Sequence, residues 1–545
     1  VDARTDWSGK GTPEYILEKG SRTERGTDII LHIDSESEEF LSKDRLSTLL
    51  SKYCKFLPVP IVFGKKQEWK DGAYVDTDED NQINDVHPAW TKKPSELKDE
   101  DYISFYHQLY PQTFEEPLFW IHLNVDYPFN LTGILYFPKV KNQMELQRNK
   151  IQLYANQVFV TEDVEGIVPE YLTLLHGVID SPDIPLNVSR SYLQSDAQVK
   201  KISNHISKKV ADRLDELFRN ERSLFEEKWE SLKVFVQYGM LSDEKFYDRA
   251  VKFDLVTDID GKHFTLDEYR TLTEGNQTDR EGQLVWLYTN DRNSQYTAIE
   301  RAKAKGYSVL LLDGPLDVHA VSQLEQKLEK TRFVRVDSDS IDKLIAKDEQ
   351  RAVSLSDVEQ KALKALFEGR LPREEKRNYS VSLEALGADA DAVLITQGEF
   401  MRRMQEMARL QPGMNFYGEL PEGYNVVLNT EHPLIQRLLA SEKEVVEPKL
   451  STLRAELQEQ SELVEAARTV QSAKKPEEVS VAEREELDAL TSKQAELEGK
   501  ISEEIKKFGA EELLVGQLVD LALLGNGLLS GEALAAFIRR SQQLL

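Results

Sequence analysis

Residues 183–194, DIPLNVSRSYLQ, are where a strand-rich stretch gives way to a long helix, and the rest of the chain can be laid out from that boundary. Pro185 and Asn187 precede a helix start at which Ser191 and Gln194 stand in capping-box spacing, with Arg190 beside them. A helix N-terminus carries partial positive charge, so a cation there is unfavourable unless a negative group lies close. Downstream, Val199, Ile202, Ile206, Val210, Leu214 and Leu217 step by three or four and form one face of a long amphipathic helix. Upstream, from Asp34 to about Asn220, the pattern is mixed α and β. LTGILYFPK reads as a strand, and so does IQLYANQVFV, in which Ile151, Leu153 and Ala155 alternate with polar positions.

Further along, LVWLYT, a helical SQYTAIERAKAKG and the apolar run VLLLD form a βαβ unit within a small α/β part at about 280–345. Only NDRNS follows its first strand, with no glycine-rich loop, which argues against a nucleotide there. The polar stretch DSDSIDKLIAKDEQRAVSLSD reads as an interdomain linker, centred on 346–360. Beyond it a mostly helical part runs over 361–545. Within it Leu450, Leu453, Leu457 and Val464, then Leu487, Leu490, Leu497 and Ile501, approximate heptad positions. They predict an antiparallel helical hairpin over about 449–507, with a plain solvated helix pair as the alternative. The closing AEELLVGQLVDLALLGNGLLSGEALAAFIRRSQQLL starts with a helix apolar nearly all round, which ought to be covered. Leu513, Leu514, Leu518, Leu521 and Leu524 make it a candidate dimer contact.

Composition narrows the function classes. A chain of 545 residues exceeds one core and should hold two to four domains. With 96 acidic against 69 basic residues the formal net charge is −27, which disfavours nucleic acid and anionic lipid as partners. No long apolar run or charged-then-apolar leader points to membrane or export, and the single cysteine, Cys54, fits a reducing cytoplasm and reads as a packed residue rather than a nucleophile. The nine histidines are scattered, and no cluster has metal-ligand spacing. Four of the six methionines, Met401, Met404, Met407 and Met414, fall in EFMRRMQEMARLQPGM. Methionine is unbranched and polarizable, so such a surface adapts to partners of different shape. With Leu410 they could line an apolar stripe edged by Arg402, Arg403 and Arg409, or they could fill their own core.

LYANQVFVTEDVEGIVPEYLTLLHGVIDSPDIPLNVSRSYLQ, with HPAWTKKPSEL and RGTDIILHI, resembles the ninety-kilodalton heat-shock chaperone family, over nearly the whole chain. The ending AAFIRRSQQLL, without an acidic tail, resembles its bacterial members. The resemblance implies an α/β and α+β multidomain protein. Its parts would be a remnant of a nucleotide-binding domain (1–33), a middle domain of αβα layers with a small α/β subdomain (34–345, the large part 34–220), and a C-terminal dimerisation domain (361–545). The hairpin is longer than the resemblance leads one to expect and reads as an insertion. It further implies a homodimeric, cytoplasmic, ATP-driven molecular chaperone, binding unfolded or partly folded clients and working with other chaperones. Arg190 then matches a phosphate-sensing arginine, with Gln194 and Asn187 positioning its loop, and the alternative is an ion pair with a carboxylate such as Asp183. Thr27 matches a threonine of the nucleotide pocket. Trp90 matches a tryptophan linked to conformational coupling or client contact, a semi-buried structural role being the alternative. Met401, Met404, Met407 and Leu410 fall where bacterial relatives carry a methionine-bearing amphipathic helix. ATP and Mg2+ are implied for the full-length parent, and none for this chain alone. A nucleotide-independent dimeric coiled-coil scaffold is the competing reading.

Overall fold

The computed structural model describes residues 5–9, 15–20, 23–70, 72–127, 129–139, 150–164, 166–184, 197–347, 351–374, 376–399, 402–403, 422–474 and 479–544. Two antiparallel hairpins come first, β1 (Thr5–Gly9) with β2 (Tyr15–Lys19) and, after helix α1 (Lys43–Tyr53), β3 (Val62–Lys70) with β4 (Ala73–Gln82). Helix α2 (Asp99–Leu109) leads into a sheet of β5 (Phe119–Val125), β6 (Leu131–Phe137), β7 (Lys150–Ala155), β8 (Val158–Thr161) and β9 (His176–Asp180), in spatial order β5-β6-β9-β7-β8.

Period-two alternation explains why this sheet is covered on both faces. Leu135, Phe137 and Ile179 point to one side, where they pack with Val199, Ile202, Ile206, Val210, Leu214 and Leu217 of α3 (Ala197–Asn220) and with Trp229 and Phe235 of α4 (Arg222–Ser242). Ile134, Tyr136 and Val178 point to the other side, against Phe56, Trp90, and Tyr102, Phe105 and Tyr106 of α2. The amphipathic face read from the sequence is therefore the buried face of α3. One strand reading needs correction. IQLYANQVFV is a hairpin of β7 and β8, because Asn156 and Gln157 take left-handed φ values of 52° and 64° and form a two-residue turn that pairs Ala155 with Val158. Where β9 pairs antiparallel with β6, a Cβ at Gly177 would lie 2.0 Å from the Ile134 carbonyl oxygen, and its φ of 135° suits only glycine.

After α5 (Glu244–Ala250), the β10 (Leu255–Thr257)–β11 (His263–Thr265) pair and α6 (Leu266–Gln277), a second unit follows. It comprises β12 (Leu284–Thr289), α7 (Tyr296–Ala304), β13 (Val309–Leu311), α8 (Asp317–Lys327) and β14 (Thr331–Arg335). Its three strands are parallel in the order β13-β12-β14, so the expected βαβ unit is present. The first residues of the polar stretch read as linker are docked, inside the α/β part expected at about 280–345. Ser338, Ser340, Leu344 and Ile345 are buried around the short helix α9 (Ile341–Leu344), because two apolar residues among the charges suffice to dock it.

The C-terminal part begins with α10 (Asp357–Glu368), capped by Ser356 and Glu359, and a sheet of β15 (Arg377–Glu384), β16 (Val393–Thr396) and β17 (Glu422–Asn429), ordered β15-β17-β16. Helix α11 (Pro433–Val445) precedes the hairpin of α12 (Glu447–Ser472) and α13 (Val481–Glu511). Antiparallel pairing is fixed by Gln460, which donates to the Leu490 carbonyl at 2.9 Å, and by Gln471, which donates to that of Glu483 at 2.5 Å. The base of α13 lies close against α10, where Cβ atoms at Gly509 and Gly369 would fall 2.1 and 2.2 Å from the carbonyl oxygens of Leu366 and Lys506. Helices α14 (Leu513–Gly525) and α15 (Gly531–Leu544) complete the described chain.

Near the root of that hairpin, Glu442 is buried with its Oε1 unpaired among the described residues. Burial first, then the Glu447 charge, pushes its carboxyl up to about 7, partly offset by Arg454 and Lys443. A carboxyl raised on folding takes up a proton in the native state, so it lowers stability progressively from about pH 4.5 to 7 and by a constant amount above. Glu442→Gln should therefore raise stability by about 1–3 kcal/mol at pH 8 and by little at pH 4. Thermal melts at the two pH values check this, and an equal or absent gain at both would refute it.

Candidate functional site

The segment bearing Asn187, Arg190 and Gln194 lies outside the described residues, but the residues on either side of it are described. At the upstream end β9 is fully buried, and Ser181 Oγ donates to the Asn130 carbonyl at 2.6 Å. Asp183 Oδ2 accepts from the Asn130 backbone N–H at 2.6 Å and from its side-chain amide at 3.4 Å. At the downstream end α3 is held by Val199 and Ile202 in the main core.

Trp90 belongs to the upstream anchor. It is 0% exposed, packs edge-on to Phe56 at 4.8 Å and tilted against Tyr154 at 5.2 Å, and its indole N–H donates to Asp180 Oδ2 at 3.2 Å. The same oxygen accepts from the Gln157 backbone N–H at 2.9 Å. Burial pushes the Asp180 carboxyl up, opposed by these bonds, and Oδ1 has no partner among the described residues. An indole with no exposed surface offers nothing for a client to touch, so the client-contact expectation for Trp90 gives way to packing. Asp180, which the sequence reading passed over, ties that packing to the last residue of β9. Cys54 is half-buried and its thiol is pushed up by burial, which lowers its thiolate fraction. Thr27 is exposed in a segment without assigned helix or strand.

Met401, Met404, Met407, Met414 and Leu410 lie outside the described residues, but Arg402 and Arg403 do not, and they correct an expectation. They are not cationic edges on the surface. Arg402 is buried and Arg403 largely so, both bonded to Glu399, and Arg403 also to Glu325. The i, i+3 and i, i+4 spacing of Glu399 to the two arginines was the available signal. Of the five leucines assigned to a dimer contact, Leu518 is buried and Leu514 partly buried in their own domain's core, which removes them from the exposed face. Leu513, Leu521 and Leu524 remain 60%, 48% and 40% exposed, so α14 is covered on one face only. Among the described residues no group of three His, Cys, Asp or Glu is placed to hold a metal ion, and no helix is long and apolar enough to cross a membrane.

This architecture has known relatives. The Hsp90 protein family matches residues 65–507. Chaperone protein HtpG of Porphyromonas gingivalis (strain ATCC BAA-308 / W83) is 65% identical over 539 residues, covering 99% of this chain and 79% of that one. HtpG of Bacteroides fragilis (strain 638R) is 56% identical with the same coverage, and HtpG of Dechloromonas aromatica (strain RCB) is 31% identical over 59% of this chain and 51% of that one. The chain belongs to the Hsp90 family of molecular chaperones, in its bacterial HtpG type.

Proposed function

We propose that this chain provides client binding, dimerisation and a phosphate-sensing arginine to an ATP-driven chaperone cycle. The observation that carries the reading is the bracketed loop. Arg190 belongs to a segment whose ends are fixed by β9 and α3, and Asp180 at the upstream end is bonded to buried Trp90. A guanidinium has the fork geometry that suits phosphate oxygens. ATP and Mg2+ require a pocket that exposed Thr27 does not supply, so the chain by itself should not bind ATP tightly. The methionine-rich segment is the client site, and the cytoplasm is where such a protein works. The test is suppression of aggregation: substoichiometric to equimolar chain added to a thermally unfolding protein should keep it in solution. Failure to do so would favour the dimeric scaffold.

The dimer contact is placed on the uncovered face of α14. Leu513 and Leu524 fall on one line of the helix with Leu521 beside it, an apolar strip that a second copy would cover. Deleting residues 510–545 should give a monomer by sedimentation velocity. A truncated chain that stays dimeric would move the interface to the hairpin.

A further inference from the structure

The hairpin of β3 and β4 carries an exposed aromatic pair. Trp69 and Tyr74 are opposite each other near its turn, edge-on with ring centroids 4.9 Å apart, and are 63% and 67% exposed. Strand alternation puts Gln67 and Asp76 on the same face, where Gln67 Nε2 donates to Asp76 Oδ1 at 2.8 Å. Val75, on the other face, is 49% exposed. Among the described residues the two strands pair only with each other. A two-stranded ribbon is marginally stable in water, and the outer N–H and C=O groups of both strands lack ladder partners.

The two edges differ in charge. Strand β3 carries Lys65, Lys66 and Lys70, each paired with a carboxylate: Asp80 at 2.8 Å, Glu79 at 2.8 Å and Glu68 at 3.2 Å. Strand β4, AYVDTDEDNQ, has neither lysine nor proline, the residues that usually guard an edge. Its Asp76 and Asp78 have no cation partner among the described residues, and the two strands together hold three cations against five anions. That excess decides what the edge accepts. A second copy pairing β4 with β4 would set aspartates beside aspartates, and like charges across a ladder are destabilising. Nucleic acid and anionic lipid are repelled for the same reason. An extended basic segment supplies both the absent ladder partners and the absent cations.

We propose that the outer edge of β4 is a docking site for an extended segment of another protein in which basic and aliphatic residues alternate. The segment adds as a third strand. Its lysines or arginines lie on the face of Tyr74 and Asp76, where they meet the Asp76 carboxylate and the aromatic rings, and its aliphatic side chains lie on the face of Val75. The site is separate from the methionine-rich segment and stands whether or not that segment binds clients.

The experiment titrates the whole chain with a fluorescent peptide of alternating lysine and valine, matched to the 10 residues of β4, and with its glutamate–valine counterpart. The lysine peptide should bind, more weakly as salt is added, and the glutamate peptide should not. Amide hydrogen exchange over Ala73–Gln82 should slow about tenfold or more at saturation. Asp76→Asn with Asp78→Asn should weaken binding about fivefold or more without altering exchange in the free ribbon, and Trp69→Ser with Tyr74→Ser should weaken it at least as much. The melting temperature should be kept in both, since these side chains lie outside the buried cores. Absence of binding, binding that the asparagine pair leaves unchanged, equal binding of the glutamate peptide, or protection outside Ala73–Gln82 would overturn the proposal. Protection of Ala73–Gln82 that rises with chain concentration alone would assign the edge to a second copy and overturn it as well.

Discussion

Arg190→Ala should slow ATP hydrolysis by about 10- to 1,000-fold in a protein that also carries the nucleotide-binding region the family resemblance implies, the range lost with one phosphate-stabilising donor. ATP affinity should change little, because a group that meets the γ-phosphate as charge develops contributes mainly to the transition state. The competing role, an ion pair that only caps the helix, names Asp183 as a partner. That carboxylate already accepts two bonds from Asn130 and sits at the fixed end of the loop, so it is partly committed elsewhere. Single-turnover hydrolysis alongside circular dichroism checks the expectation. Unaltered turnover in a folded variant would reassign Arg190 to structure.

Trp90→Ala should destabilise the first folded unit by about 3–5 kcal/mol, the usual loss for truncating a large aromatic in a packed core. The indole fills the space between Phe56, Phe105 and Tyr154 and supplies one of the two donors to buried Asp180 Oδ2. Trp90→Phe keeps most of the ring and loses the N–H, so it isolates the polar part, about 1–3 kcal/mol for a buried acceptor left short of a donor. Chemical denaturation followed by circular dichroism measures both. A loss under about 1 kcal/mol for the alanine variant would show that the ring is not needed for packing. Client affinity of the folded Trp90→Phe protein should be unchanged, since the side chain has no exposed surface.

Local pattern carried much of the architecture. Helix α3 was legible because six apolar residues keep one period across it, and β12, α7 and β13 because their run lengths and turn residues differ so clearly. What the pattern cannot show is pairing between distant strands. Nothing in HGVID says that it lies between β6 and β7, since that order rests on close backbone approach at Gly177 and on side chains far away in sequence. The Asn156–Gln157 turn was missed because neither residue is glycine, and the docking of α9 because its few apolar residues sit among charges. The candidate site divides along the same line. Arg190 and the methionines were nominated by type and resemblance, and they lie outside the described residues. Asp180 and Glu325 act through partners 90 and 78 positions away, which sequence spacing does not reveal. The two arginines were noticed but placed on the surface, because an arginine in an amphipathic segment is usually solvated and only its carboxylate partners reverse that.

The central claim is that this chain binds unfolded proteins through its methionine-rich segment, and serine at both Met401 and Met404 tests it most directly. Binding of a fluorescent, reduced and carboxymethylated protein as a permanently unfolded probe, followed by anisotropy, should weaken about fivefold or more, since hot-spot contacts are worth over about 1 kcal/mol each, while the melting temperature is nearly kept. Probe affinity equal to that of the unsubstituted chain, or a large fall in melting temperature showing that these side chains fill their own core, would contradict the account.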